Sequence, residues 1–300
     1  MNCHIKPEET VLQVPGLARP VTLVQITDSH LTFADARASD YTRQMAVERT
    51  QCFARYPDAG TAQLLAGGLE MAASLDADCL VLTGDILDFP SEQNVERLHS
   101  ALEQYGRPWL FATGNHDWSR AWIDGREGRL PDDLDLLSPF LDPRTGCGVR
   151  EAGGVRLIAV DDTTYQVSPE QLRFFQEQTA DGTPCLLFLH IPLYLPSLLG
   201  DTLRVWRSPI LLGIPEEVYI EDETVIHAPL PTQTTMEFCR LAGSLPNLLG
   251  IFSGHLHFSH TDPLPSGRPQ YVTAPGFEGG CRVIRVTGAM EQGTNQAVSV

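Results

Sequence analysis

Leu80-Val81-Leu82-Thr83-Gly84-Asp85 has a local grammar that decides how the rest of the chain is read. An unbroken apolar run ends in a hydroxyl residue, a glycine and a polar side chain. The same order returns at Leu110-Phe111-Ala112-Thr113-Gly114-Asn115 and at Gly250-Ile251-Phe252-Ser253-Gly254-His255. A continuously apolar run suits a central strand covered on both faces. The glycine permits unusual backbone angles and a close approach of the chain to a ligand. In open α/β sheets, ligands bind beyond the carboxyl ends of the strands. Loops of this kind would therefore bring Asp85, Asn115 and His255 to one crevice.

Working outward, strand-like runs are predicted at Val21–Thr27, Cys79–Thr83, Trp109–Thr113, Val155–Val160, Cys185–His190, Leu248–Ser253, Gln270–Thr273 and Cys281–Val286. Helical patterns lie between them at Tyr41–Tyr56, Thr61–Leu75, Glu92–Gln104, Pro169–Gln178 and Thr232–Leu241. Ser91 reads as one helix start, and Ser168-Pro169-Glu170-Gln171 as another, with Pro169 in the first turn, where proline is best tolerated. Alternating strands and helices argue for an α/β architecture with a largely parallel component. The closer-spaced strands after Leu248 have no helices between them, which predicts an antiparallel portion and hence a mixed sheet or two stacked sheets.

Two segments resist this pattern. Residues 118–148 are rich in Asp, Gly and Pro, and residues 191–231 carry six prolines with little periodicity. Irregular stretches this long inside a domain are often functional lids or interface arms. No repeat or linker divides the chain, so residues 1–287 read as one domain, followed by a polar tail over 288–300 that is expected to fray.

The composition excludes some partners. Among 300 residues the apolar fraction of 42% is ample for a core, and the formal net charge is −17. Tight binding to nucleic acid or an anionic membrane surface needs basic patches, so neither is expected. A small phosphorylated substrate remains compatible, because bound cations can reverse the local field. The N-terminal residues lack a signal-peptide pattern. The longest apolar stretch, Cys185 to Leu199, is interrupted by His190, Pro192 and Pro196 and is too short to span a bilayer. The seven cysteines are scattered, with no CxxC pair, which predicts a reduced, cytoplasmic setting and no thiolate zinc site.

The chemistry concentrates in five motifs: Asp28-Ser29-His30, Gly84-Asp85, Gly114-Asn115-His116-Asp117, His190, and Gly254-His255-Leu256-His257. Their donors are oxygen and imidazole nitrogen, without sulfur. That set suits Mn, Fe, Zn, Co or Ni better than Ca or Mg, which prefer all-oxygen shells. Two adjacent metals need a bridging ligand, a part a carboxylate can take. His227 is a rival to His190, but it lies in the proline-rich segment. Asp88 reads as a support or loop cap rather than a ligand, and Asp161 and Asp162 as a strand-end turn. His4, His99 and His260 read as ordinary surface or packing histidines.

The ordered set D-x-H, G-D, G-N-H-D, H and G-H-x-H resembles the calcineurin-like metallophosphoesterase superfamily, from Asp28 to His257. The segments Val160-Asp161-Asp162-Thr163, Ser168–Leu172 and Phe188-Leu189-His190-Ile191-Pro192 are similar to the branch that contains class III cyclic-nucleotide phosphodiesterases. The resemblance implies a four-layer α/β/β/α sandwich of two mixed sheets with helices outside. It implies that Asp28, His30 and His257 bind one metal, that Asn115, His190 and His255 bind the other, and that Asp85 bridges them, with Mn, Fe or Zn as the metals. His116 would steady the transition state or protonate the leaving oxygen, and Asp117 would orient His116. The implied reaction is hydrolysis of a phosphodiester or phosphomonoester by a metal-bridging hydroxide. A nucleotide-diphosphate pyrophosphatase on the same site, and a scaffold without turnover, are the alternatives.

Departures narrow the branch. Ser/Thr phosphatases of this superfamily carry Arg near the G-D and before the G-N-H, where this chain has Asp88-Phe89 and Ala112-Thr113. Purple acid phosphatases carry a Tyr three residues after the bridging Asp, where this chain has Asp88. Trp206 and Arg204, with Tyr194 and Arg207, lie in the long segment after His190. They read either as an arm packed on the body or on a second copy of the chain, or as a substrate wall in which Trp206 stacks a base and Arg204 meets a phosphate.

Overall fold

A computed structural model describes residues 4–118, 135–142, 145–215, 218–220, 224–226 and 230–288. Two mixed sheets carry the architecture. The first has the order β1 (Lys6–Val14), β13 (Gly280–Gly288), β2 (Val21–Ile26), β3 (Cys79–Thr83) and β4 (Trp109–Ala112). Strands β2, β3 and β4 are parallel, β13 runs antiparallel to β2, and β1 is parallel to β13. The second has the order β11 (His260–Pro263), β12 (Pro269–Val272), β10 (Leu248–Ser253), β7 (Cys185–Phe188), β6 (Val155–Ala159) and β5 (Gly148–Ala152). Its four central strands are parallel, with β11 and β5 antiparallel at the edges. A separate hairpin joins β8 (Val218–Ile220) to β9 (Thr224–Ile226).

The continuous apolar runs are explained by burial on both faces. On β3, Cys79 and Val81 face the second sheet and pack with Leu157, Leu186, Phe188 and Phe252. Leu80 and Leu82 face the other way, onto Leu65 and Leu69 of α2 (Thr61–Ser74) and Leu98 and Leu102 of α3 (Glu92–Tyr105). The outer face of the second sheet is covered by Phe175 of α5 (Pro169–Thr179), Leu198 of α6 (Pro196–Trp206) and Phe238 of α7 (Gln233–Ser244). The result is four layers, with helices outside and sheets stacked inside. Each such fully buried side chain contributes ~1.5–3 kcal/mol of transfer free energy.

Local chemistry sets the helix starts. Ser91 Oγ accepts the Asn94 amide at the head of α3, and Ser168 and Gln171 close a capping box around Pro169 at the head of α5. Before them, α1 (Asp40–Phe53) is capped by Ser39.

The structure corrects the sequence reading at several places. Strands β1, β5 and β11 and the β8–β9 hairpin were not anticipated. Residues 191–231 are not irregular throughout, since α6 occupies Pro196–Trp206. In the segment 118–148, Trp118 closes a short helix and Gly148 opens β5, while residues 119–134 and 143–144 lie outside the described residues. His227 and residues 289–300 also lie outside them. Among the described residues no helix is long and apolar enough to cross a membrane.

Register lines up the ends of the parallel strands. Ile26 pairs with Leu82 and Thr83 with Ala112 in the first sheet, and Ala159 with Phe188 and Phe188 with Phe252 in the second. The loops that leave β2, β3, β4, β7 and β10 therefore share one edge of the sandwich.

Candidate metal centre

Those five loops carry the motif residues. Asp28 and His30 follow β2, Asp85 follows β3, and His190 follows β7. Asn115 opens the short helix α4 (Asn115–Trp118) after β4, and His255 and His257 follow β10. Asp28, His30, Asp85, His255 and His257 all hold positive φ, between +46° and +69°. Non-glycine residues rarely adopt this left-handed conformation, which costs roughly 1–3 kcal/mol each and clusters at functional sites. Bonds between the loops hold it in place: the amides of Asp28 and His30 donate to the carbonyls of Gly84 and Asp85 at 2.9 Å, and the Gly254 amide donates to the His190 carbonyl at 3.0 Å. The glycines of the recurring grammar allow this crowding. A Cβ at Gly114 would collide with the Asp85 carboxylate, and one at Gly254 with Thr27 and Asp28.

The side chains converge as two adjoining groups. In one, donor atoms of Asp28, His30 and His257 lie within 4.8 Å of one another; in the other, those of Asp85, His190 and His255 do. His257 Nε2 is 3.3 Å from Asp28 Oδ1 and 3.2 Å from His30 Nε2. His190 Nε2 is 3.1 Å from His255 Nδ1. Asp85 Oδ2 spans the two groups, 3.2 Å from His190 Nε2 and 3.8 Å from His30 Nε2.

Proton positions show what this cluster demands. His190 Nδ1 lies 2.9 Å from the Thr83 carbonyl, which can only accept, so Nδ1 carries a hydrogen. Nε2 then faces the Asp85 carboxylate, where only a proton or a cation relieves the repulsion between lone pairs. Burial opposes charging His190, but Asp85 together with Asp28 and Asp162 outweighs it and pulls the imidazole up to about 10. Burial likewise opposes ionisation of Asp85, yet the surrounding imidazoles hold it well below the usual carboxylate range. Burial and neighbouring His190 push His255 down to about 3. Asn115 Oδ1 is buried beside this cluster without a hydrogen-bond partner, a costly state that a cation would relieve. These oxygen and imidazole donors fit transition-metal ions.

His116 stands at the rim of the cluster. Its amide donates to Asp85 Oδ1 at 2.8 Å, and its Nδ1 lies 3.1 Å from the Asp88 carbonyl and 3.2 Å from Asp88 Oδ1. Burial disfavours its charge, but the Asp85 and Asp88 carboxylates raise it to about 9. Asp88 also accepts from His30 Nδ1 at 2.9 Å and is gripped by Arg49 of α1, at 2.7 Å from Nε and 2.6 Å from Nη2. His116 thus meets a carboxylate, but not the predicted one. Asp117 accepts the amides of Asp85, Leu87 and Gly114 at 2.9, 2.8 and 2.7 Å. Consecutive side chains on a helical turn diverge by about 100°, so Asp117 braces the loops after β3 and β4 while His116 turns toward Asp88.

An aromatic ring surrounds the imidazoles. Phe53 stacks on His30 with centroids 4.2 Å apart, and Phe277 meets both Phe53 and His257 at 5.0 Å. Tyr165 OH lies 2.8 Å from His255 Nε2. Trp206 meets His257 edge-on at 5.1 Å and anchors its Nε1–H on the Leu256 carbonyl at 2.8 Å. Arg204 is committed elsewhere, to an exposed pair with Asp201 at 2.6 Å. Asp162 accepts the amides of His190 and Ile191. His4, His99 and His260 pair with Asp58, Glu103 and Asp262 outside the cluster. Arg49, Phe53 and Tyr165 escaped the sequence reading because none lies within a motif, although the regular spacing of α1 could have flagged Arg49 and Phe53 as sharing one helix face.

A family profile described as calcineurin-like phosphoesterase matches residues 21–259. A protein named probable cyclic nucleotide phosphodiesterase, from Synechococcus sp., is 32% identical over 133 residues; the match spans 42% of this chain and 45% of that relative's length. A dimetal phosphatase from Danio rerio superposes with a TM-score of 0.52 at 14% identity, covering 86% of this chain and 88% of its own. A purple acid phosphatase from yellow lupin gives a TM-score of 0.52 at 14% identity, with 90% of this chain and 46% of its own covered. At such identity these structural likenesses speak to the fold, two mixed sheets with flanking helices. The profile match, which runs from the start of β2 to beyond His257, carries the assignment: the chain belongs to the calcineurin-like phosphoesterase family.

Proposed function

We propose that the chain is a dinuclear-metal phosphoesterase that hydrolyses a small phosphodiester, with cyclic nucleotides as the leading substrate class. Asp28, His30 and His257 would hold one metal, and Asn115, His190 and His255 the second, with Asp85 shared between them. Mn, Fe or Zn fits these donors. When bound, such a pair supplies Lewis acidity to phosphoryl oxygens and lowers the pKa of water. The chain's own part is to hold the ligands rigidly and to manage the proton. His116, held through Nδ1 by the carbonyl and carboxylate of Asp88, whose charge favours the imidazolium against the opposition of burial, is the group that would give a proton to the leaving oxygen.

The observation that carries this reading is Asp85 Oδ2 lying within 3.2 Å of one imidazole group and 3.8 Å of the other. The net charge of −17 supports a small substrate over a polyanion. The name of the Synechococcus relative supports a cyclic diester.

The test is hydrolysis by the metal-stripped chain reconstituted with Mn, Fe or Zn. The panel holds cyclic AMP, a bis-aryl diester, an aryl monoester and a nucleoside diphosphate. Turnover of the two diesters, led by cyclic AMP, is expected. Preference for the diphosphate would replace this reading with a pyrophosphatase, and inactivity on every ester would return the chain to a scaffold role.

A further inference from the structure

One loop touches both histidines of the second group, His190 through its backbone amide and His255 through its imidazole. Residues 160–165 follow β6. Asp162 accepts the backbone amides of His190 at 3.3 Å and Ile191 at 3.0 Å. Three residues on, Tyr165 places its hydroxyl 2.8 Å from His255 Nε2, with its ring edge-on to the imidazole at 5.7 Å. The Tyr165 amide donates to the Asp162 carbonyl at 2.8 Å, which makes the two braces one turn. Tyr165 itself sits at φ +58°, a left-handed conformation that a bulky aromatic residue rarely adopts. Such strain persists only where surrounding contacts enforce it. In the first group, His30 is held instead by Asp88 through Nδ1 at 2.9 Å.

The hydrogen-bond logic gives this contact a role. A neutral imidazole has one N–H and one lone pair. His255 Nδ1 faces His190 Nε2 at 3.1 Å and is the nitrogen on the metal side. For Nδ1 to offer its lone pair there, Nε2 must carry the hydrogen, and the Tyr165 oxygen is the acceptor in line to receive it. We propose that Tyr165 is a positioning residue for the second metal: its phenol oxygen accepts the His255 Nε2–H, keeps Nδ1 bare, and sets the affinity of that position independently of the first. The inference rests on the dinuclear assignment made above.

The test is Mn titration of the metal-stripped full-length chain by calorimetry, with Tyr165→Phe as the probe. That variant keeps the ring and its packing and removes only the hydroxyl. The unaltered chain should take up two ions. In a His257→Ala background, where a first-position ligand is lost, Tyr165→Phe should weaken the remaining tight ion by about tenfold to a hundredfold. In an Asn115→Ala background, where a second-position ligand is lost, it should leave the remaining ion's affinity unchanged. Equal affinities with and without the hydroxyl in the His257→Ala background would overturn the proposal. So would equal weakening in both backgrounds accompanied by a lower melting temperature of the stripped protein, since that is the signature of a structural role. Uptake of fewer than two ions by the unaltered chain would instead defeat the dinuclear assignment, and the proposal with it.

Discussion

Asp88 Oδ1 lies 3.2 Å from His116 Nδ1 and 2.9 Å from His30 Nδ1, so one buried carboxylate aligns both a candidate metal ligand and the candidate acid. Asp88→Asn should lower kcat by about tenfold to a hundredfold, the usual cost of losing an outer partner of a metal site. Asp117→Asn should act differently, lowering the melting temperature through the loop amides it accepts. Steady-state kinetics and thermal melts on both variants check this. A larger kcat loss for Asp117→Asn at an unchanged melting temperature would restore Asp117 as the partner of His116.

His116→Ala should lower kcat by ~10²–10⁴-fold, the usual contribution of a positioned general acid, while metal content stays as in the unaltered chain. Asp85→Ala should lose metal as well as activity, because its oxygen faces both imidazole groups. Elemental analysis beside the kinetics separates the two. An Asp85 variant that retained its metal and full activity would remove the bridging role.

Arg49 covers the Asp88 carboxylate from helix α1, and Asp88 is only 2% exposed. Arg49→Leu leaves this buried carboxylate only the His30 and His116 imidazoles and should destabilise the metal-stripped chain by about 2 kcal/mol, the usual cost of losing a hydrogen bond to a charged group, read by urea unfolding. A change below ~1 kcal/mol, the range of an exposed pair, would mean that water replaces the guanidinium at no cost.

Trp206 is 38% exposed, and its Nε1–H is fixed on the Leu256 carbonyl next to His257. Stacking of a base on such a ring is worth ~1–3 kcal/mol. Trp206→Ala should therefore raise KM for cyclic AMP at least about fivefold and leave KM for a small non-aromatic diester unchanged. An unaltered KM for cyclic AMP would assign the ring to packing of α6 alone.

Strands covered on both faces were legible and the edge strands β1, β5 and β11 were not, for one physical reason. β3 and β10 are buried along their whole length and read as unbroken apolar runs. β1 reads Lys-Pro-Glu-Glu-Thr-Val-Leu-Gln-Val, and only its alternate residues Thr10, Leu12 and Val14 are buried. An edge strand with one covered face needs few apolar residues, and charge along it guards against pairing with another chain. Helix α6 was hidden for a different reason. Its N-cap is Leu195, which makes no side-chain cap bond, and Pro196 and Gly200 look like loop residues. It is held by burial of Leu198 in the core of the second sheet, while the buried Thr202 hydroxyl donates to the Leu198 carbonyl.

At the site, the sequence by itself determined the donor types and the loops that carry them. Strand, hydroxyl residue, glycine and ligand form a contiguous local code, which becomes a left-handed turn at Asp85 and His255 and a helix start at Asn115, each at a strand end. Tertiary structure alone decided which groups touch. Asp88 rather than Asp117 meets His116, Arg49 meets Asp88, and Tyr165 meets His255, across separations of 28, 39 and 90 residues. Contacts at such separations are set by sheet register and by the direction in which each turn releases its side chain, and neither is encoded within the few residues of a motif.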